Sequence, residues 1–153
     1  MKPHKGNTSP SALSVLLVGI QFVLIAFIMF TGPLWPQDWW LRGILASGGM
    51  IGLWALYIMG LRQVKVFPEV PSEGTLIVSG PYRWIRHPMY TGVLLVTLAW
   101  SMANPLPYRI FLWVGLLITL IVKLLYEEGF LLERFPEYKA YQRQTSRLIP
   151  FVW

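Results

Sequence analysis

The chain has 153 residues, of which 55% are hydrophobic and 13% charged; it holds 8 Trp, 7 Tyr, 8 Phe and no cysteine, and its formal net charge is +6. Soluble domains carry about 25% charged residues, so this composition excludes an ordinary soluble domain, a disordered chain and a coiled coil. The missing cysteines exclude a disulfide scaffold, a thiolate zinc site and a cysteine nucleophile, and in so apolar a chain the basic excess marks cytoplasmic loops rather than nucleic-acid binding.

Runs without Asp, Glu, Lys or Arg define the elements. None of these residues lies between Lys5 and Asp38, which predicts a first span over 12–31. That run exceeds the about 7–15 residues of a signal-peptide core and no small-residue cleavage site follows, so it reads as a retained helix. A second span covers 43–61, between Arg42 and Arg62. It contains Gly48-x-x-x-Gly52, a helix-packing motif, and Gln21 in the first span reads as an interhelical hydrogen-bonding group. The third and fourth runs, 88–104 and 108–126, are short singly for the about 20 residues that cross a bilayer. Together they read as a helical hairpin turning at Asn104-Pro105-Leu106-Pro107. The predicted fold is an all-α integral-membrane domain over 1–153, with about four transmembrane helices.

Two segments on one side are longer than connectors. Residues 62–87 hold Pro68, Pro71, Gly74 and Gly80 around the apolar Thr75 to Val78, and read as an ordered loop with a short extended piece. Residues 127–153 read as a helix from Glu127 to Phe135, a break at Pro136 and a second helical piece to about Thr145. The N-terminal tail, the loop and the C-terminal segment together carry 11 of the 13 Lys and Arg, leaving only Arg42 and Arg109 on the other side. The positive-inside rule therefore predicts a multi-pass protein of the cytoplasmic membrane with both termini in the cytoplasm.

Chemistry concentrates in Gly80-Pro-Tyr-Arg-Trp-Ile-Arg-His-Pro-Met-Tyr90. Pro88 suits the first position of a helix, so free backbone donors and a positive dipole end sit beside Arg83, Arg86 and His87, a recipe for binding a carboxylate or phosphate. The alternative is a basic membrane anchor with Trp84 and Tyr90 as interfacial aromatics, which composition alone favours. Glu127-Glu128 is the second feature, placed at the end of the fourth helix, where the dipole opposes a carboxylate. It reads either as an acidic boundary with an ordinary Lys123–Glu127 pair, or as a site for ligand hydroxyls or a cation. The hairpin returns both features to one face, where Arg143 and Arg147 emerge beside them. Such a pocket, walled by Tyr82, Trp84 and Tyr90, suits a zwitterionic nucleoside. Two histidines without cysteine give no evident metal site.

The segment Gly80-Pro-Tyr-x-x-x-Arg-His-Pro-x-Tyr90, then Glu127-Glu128-x-x-Leu131-x-x-x-Phe135, Tyr138-x-x-Tyr141 and Arg147-x-x-Pro150, resembles the isoprenylcysteine carboxyl methyltransferase family. It is also similar to the wider group of small membrane methyltransferases that includes the phospholipid N-methyltransferases. The resemblance spans roughly residues 62–151. It implies S-adenosylmethionine as methyl donor and a lipophilic acceptor. Cofactor contacts carry over onto Gly74, Thr75, Leu76 and Ile77, onto Tyr82, onto His87, Pro88, Met89 and Tyr90, and onto Glu127 or Glu128. Arg86, and Arg147 from the C-terminal segment, join them as anion-binding groups. Lys123 stands where the family often has an arginine associated with the acceptor; a lysine is a point charge and not a bidentate fork. Pro136 stands where the family usually has glycine. His87 or a glutamate would serve as base toward an amine or thiol, so His87, Glu127 and Lys123 are the catalytic candidates. Carboxylate, amine and thiol acceptors all stay open, as does the oligomeric state. Two rivals remain: an NADPH-dependent membrane reductase of the sterol reductase type, which is a much longer chain, and a non-catalytic membrane lipid-binding subunit.

Overall fold

The structure is a computed structural model that describes residues 10–60, 75–150 and 152. Five α-helices follow in order: α1 Ala12–Phe30, α2 Trp39–Met59, α3 Pro88–Met102, α4 Pro107–Arg134 and α5 Tyr138–Gln144, with a 3-10 turn at Gly80–Arg83 before α3. No strand occurs among the described residues, and one isolated parallel bridge pairs Ile85 with Ser146. The protein is thus all-α, as the composition predicts. Helices α1, α2 and α4 are long and apolar enough to cross a membrane, whereas α3 has 15 residues and is the short member of the hairpin.

The helix ends follow local chemistry. Ser11 caps α1 by accepting the N–H of Ser14 at 3.1 Å. Helix α2 begins at Trp39, four residues ahead of the expected 43, because Asp38 takes the N-cap position and Arg42 lies within the first turn. It ends at Gly60, whose φ of 71° suits a residue without a Cβ. Pro88 and Pro107 open α3 and α4 at positions where a missing N–H costs nothing.

The fourth span needs a larger correction. Helix α4 runs 28 residues to Arg134 rather than stopping near 126, and it includes Glu127 and Glu128. Gly129 does not interrupt it. The helix stops when Phe135 turns extended (φ −117°, ψ 107°) ahead of Pro136, whose ring disfavours a helical residue before it. Glu127 and Glu128 therefore lie within the helix, more than a turn from its end, and the argument that the dipole opposes them does not apply.

Packing brings the chemistry-bearing ends together. Helix α2 lies on α3 backbone to backbone: a Cβ on Gly92 would come 2.8 Å from Gly48 O and 2.9 Å from Gly52 Cα. The Gly48/Gly52 pair thus works as the packing motif that the sequence suggests. Helices α1, α3 and α4 share a core of Ile28, Leu94, Leu116, Leu120 and Leu124, joined by Leu148 from the C-terminal segment. Large apolar side chains such as Phe27, Trp54, Tyr57 and Phe111 face outward, the pattern of helices solvated by lipid.

Candidate functional site

Three elements meet at the end of the bundle where α3 begins. The 3-10 turn is pressed against α2: a Cβ on Gly80 would lie 2.7 Å from Ile58 Cγ1, and Gly80 itself has φ 59°. The chain then pairs with the C-terminal segment. Ser146 N donates to Trp84 O (3.0 Å), Arg86 N to Ser146 O (2.8 Å) and His87 N to Arg147 O (3.1 Å). This pairing fixes the backbone of Ile85, Arg86 and His87 before α3 starts.

Arg86 then points at α4. Its Nε donates to Glu128 Oε1 at 2.7 Å, and its Nη1 donates to Gln142 O, Thr145 O and Thr145 Oγ1. On the other carboxylate oxygen, Glu128 Oε2 accepts from Arg147 Nε at 3.2 Å and Gln142 Nε2 at 3.3 Å. Glu128 is only 5% exposed in its side chain. One carboxylate thus ties together the start of α3, α4, α5 and the C-terminal segment, and both guanidiniums assigned to ligand anions are engaged by it. Arg86, Arg143 and Arg147, with Gln142, Thr145 and Val152, line an open cavity of about 490 Å³ on the outer side of this knot.

Glu127 is bound differently. Its Oε2 accepts from the Tyr90 hydroxyl at 2.9 Å and lies 3.8 Å from His87 Nδ1, and 29% of its side chain is exposed. His87 lies between the two carboxylates, with Nε2 3.4 Å from Glu128 Oε1 but without a hydrogen-bonding alignment, so that buried nitrogen has an ionic neighbour and no hydrogen-bond partner. The Tyr90 ring stacks on the imidazole at 5.4 Å and 11°, so Tyr90 faces inward and is not an interfacial anchor. Trp84 packs on Trp54 of α2 at 6.1 Å.

Lys123 does not pair with Glu127. Its buried ammonium donates to Gln21 Oε1 of α1 at 2.8 Å and lies 5.3 Å from the centre of the Tyr90 ring. Helix geometry allows the i,i+4 pair, but the ammonium turns away from Glu127 to the Gln21 amide and the Tyr90 ring. Gln21 is indeed an interhelical hydrogen-bonding group, and its partner is the buried cation.

Tyrosines close the site. Tyr82 is buried, with its hydroxyl 3.8 Å from Met59 Sδ, and its carbonyl accepts the Tyr141 hydroxyl. Burial, followed by the charge of Glu127, pushes the Tyr82 phenol well above its ordinary range. Burial does the same to Tyr138 and Tyr141, with Glu128 adding to it and Arg86 opposing. All three phenols therefore keep their protons; those of Tyr82 and Tyr141 donate to Met59 Sδ and Tyr82 O, and that of Tyr138 has no hydrogen-bond partner.

The structure thus joins Tyr82, Arg86, His87, Tyr90, Glu127, Glu128 and Arg147, with Pro88 buried at the first position of α3, Met89 half-buried beside it and Lys123 one layer deeper. Thr75, Leu76 and Ile77 belong to no helix and pair with no strand, and no hydrogen bond or ion pair ties them to the cluster among the described residues. Gly74 lies outside the described residues, as does the first half of the 62–87 loop. The sequence motif includes Tyr138 and Tyr141 without giving them a role, and it omits Gln142; on the inner face of α5 the three stand at helical spacing among exposed neighbours. That spacing was the available signal. Two carboxylates, a histidine and buried polar atoms without partners fit a ligand that brings its own donors and acceptors.

Comparisons with known proteins agree with this geometry. The model of the phospholipid methyltransferase family matches residues 42–138. The chain is 29% identical over 137 residues to the cobalt-zinc-cadmium resistance protein CzcN of Cupriavidus metallidurans, covering 87% of this chain and 63% of that protein. It is 29% identical over 149 residues to the nickel-cobalt-cadmium resistance protein NccN of Alcaligenes xylosoxydans, covering 90% and 64%. It is 31% identical over 162 residues to the methanethiol S-methyltransferase of Mycobacterium tuberculosis, covering 90% and 62%. The chain therefore spans just under two thirds of the length of these relatives. It belongs to the phospholipid methyltransferase family, which bears out the resemblance carried by the Gly80–Tyr90 and Glu127-Glu128 motifs.

Proposed function

We propose that this protein is an integral-membrane methyltransferase that takes S-adenosylmethionine from the cytoplasm and methylates a lipophilic acceptor reaching it from the bilayer. The observation that carries the reading is the cluster of His87, Tyr90, Glu127 and Glu128. It is built from the start of α3 and the last third of α4, and holds a buried imidazole nitrogen without a hydrogen-bond partner. Family membership supports the reaction class. The methanethiol S-methyltransferase relative supports a thiol among the acceptors. The one-sided distribution of Lys and Arg supports a multi-pass orientation with the cluster facing the cytoplasm.

The donor supplies a methyl group already activated on a sulfonium, so the protein contributes binding and alignment, worth about 7–11 kcal/mol in favourable cases. Glu127 is the carboxylate suited to donor hydroxyls or to the sulfonium charge, because it is half-exposed and carries one strong hydrogen bond. Glu128 holds the site together through Arg86 and Arg147 instead of meeting the ligand, and this revises the role of those arginines as direct anion binders. The stacked His87 and Tyr90 rings form one wall. His87 Nε2 is placed to hold or pass a proton if the acceptor is a thiol or amine. Lys123, held by Gln21, gives the acceptor side a positive charge.

The test is calorimetric binding of S-adenosylhomocysteine to purified protein, alongside labelled methyl transfer into a native lipid extract and into an apolar thiol. Wild type binds, and His87→Ala and Glu127→Ala bind at least tenfold more weakly. Binding of NADPH in place of the nucleoside would favour the reductase reading. Binding without any transfer would favour the non-catalytic one.

A further inference from the structure

Among the described residues, four buried side-chain polar atoms have no hydrogen-bond partner: His87 Nε2, Tyr138 Oη, Ser101 Oγ and Arg109 Nε. Ser101 and Arg109 lie at the far end of the bundle. Of the other two, His87 Nε2 lies 3.4 Å from Glu128 Oε1, and Tyr138 stands one helical turn before Gln142, which donates to Glu128 Oε2. Tyr138 is 1% exposed and among the largest fully buried side chains. Its neighbours on the inner face of α5 are both satisfied: the Tyr141 hydroxyl donates to Tyr82 O, and Gln142 Nε2 donates to Glu128 Oε2.

A buried hydroxyl without a partner is destabilising, and phenylalanine would fill the same space without that cost. The carboxylates of the site bind other donors: Glu128 receives Arg86, Arg147 and Gln142, and Glu127 receives Tyr90, whereas neither receives the Tyr138 hydroxyl. Tyr138 stands one helical turn before Gln142, which donates to Glu128 Oε2, so it lies on the face of α5 turned to the site; the charges of Glu128, Arg86 and Glu127 reach its phenol there. Burial keeps it protonated, so it needs an acceptor that the protein does not offer.

We infer that the Tyr138 hydroxyl is a ligand-binding group of this site, donating a hydrogen bond to an acceptor atom of the bound S-adenosyl nucleoside. The inference rests on the methyltransferase reading above and adds α5 to the elements that hold the donor. It also assigns a purpose to a tyrosine whose hydroxyl otherwise weakens the fold.

The test uses the full chain in detergent, with Tyr138→Phe and wild type compared by calorimetry with S-adenosylhomocysteine and by thermal unfolding with and without it. The expected result is a Kd weakened by roughly 3- to 10-fold, the worth of one hydrogen bond, with the Tm of the ligand-free protein unchanged or raised. The ligand-induced rise in Tm shrinks accordingly. Affinity within twofold of wild type overturns the inference while leaving the methyltransferase reading intact. A fall in ligand-free Tm at unchanged affinity also overturns it, because the hydroxyl then serves the fold, for instance through a buried water. Wild type that fails to bind the nucleoside at all removes the reading and this inference together.

Discussion

Helix α4 carries buried charge at both of its ends, and the two ends treat it in opposite ways. At the end where α4 begins, Arg109 is 0% exposed. Its guanidinium donates to Thr31 Oγ1 (2.8 Å), Ile28 O (3.1 Å) and Trp100 O (2.6 Å). Ile28 and Trp100 lie in the last turns of α1 and α3, where backbone carbonyls have no partner within the helix and the dipole is negative. Arg109 therefore ties three helices together with neutral oxygens, and Gly32 leaves room for it, since a Cβ there would overlap the guanidinium. At the other end, Lys123, Glu127 and Glu128 meet side chains from four elements, and the partners include charged and titratable groups: Arg86, Arg147, His87 and Tyr90. Each end leaves two buried polar atoms without a hydrogen bond, Ser101 Oγ and Arg109 Nε at the first, His87 Nε2 and Tyr138 Oη at the second. What separates scaffold from site is the kind of partner: one end pins a single cation on fixed neutral oxygens, and the other gathers groups that can exchange protons and partners with a ligand.

The comparison breaks first at the scaffold end. Arg109→Met leaves the carbonyls of Ile28 and Trp100 buried without a donor, and the expected loss is about 2–5 kcal/mol of stability. Thermal unfolding in detergent measures it. If Arg109→Met unfolds like wild type but loses nucleoside binding, the two ends are not separable in this way.

Within the site the two glutamates should divide along the same line. Glu128→Gln leaves Arg86 and Arg147 facing a neutral amide in a buried position, so stability falls by about 1–3 kcal/mol and nucleoside binding falls with it. Glu127→Gln keeps an acceptor for the Tyr90 hydroxyl and removes only a half-exposed charge. Its Tm should stay within a few degrees of wild type while the Kd for S-adenosylhomocysteine weakens by roughly tenfold. Equal loss of Tm in both variants would mean that the pair acts as one structural unit.

What was legible in the sequence follows from the range of each force. Prolines act locally, so Pro88, Pro107 and Pro136 mark real boundaries. Hydrophobic runs mark the spans because lipid demands them. The sequence divides α4 into a span to 126 and a separate helix from Glu127 to Phe135, because two carboxylates look like an exit from the membrane, whereas nothing in the backbone stops the helix before Pro136. Arg86 and His87 were legible as residues at a helix start. The capture of Arg86 by Glu128 was not, since it depends on the C-terminal segment returning to pair Ser146 with Ile85. Tyr138 had a place in the motif but no assigned task, because an unpaired hydroxyl is visible only once its surroundings are known.

The smallest expected effect is also the most selective. Lys123 is a buried ammonium whose direct hydrogen-bond partner is the neutral amide of Gln21, on a helix outside the stretch that the family model covers. Gln21→Leu removes that acceptor and leaves the ammonium over the Tyr90 ring, where cation–π attraction retains part of its stabilisation. Glu127 and Tyr90 keep their own hydrogen bond, so nucleoside affinity should stay within twofold of wild type. An acceptor that uses the lysine charge would be held less well: KM for an anionic or readily ionised acceptor should rise about three- to tenfold, with kcat changed less. A neutral amine should be affected least, because a fixed positive charge offers it no attraction. Steady-state kinetics with one thiol and one amine of matched chain length separate these outcomes. A uniform loss across both acceptors would return Gln21 and Lys123 to the scaffold, beside Arg109.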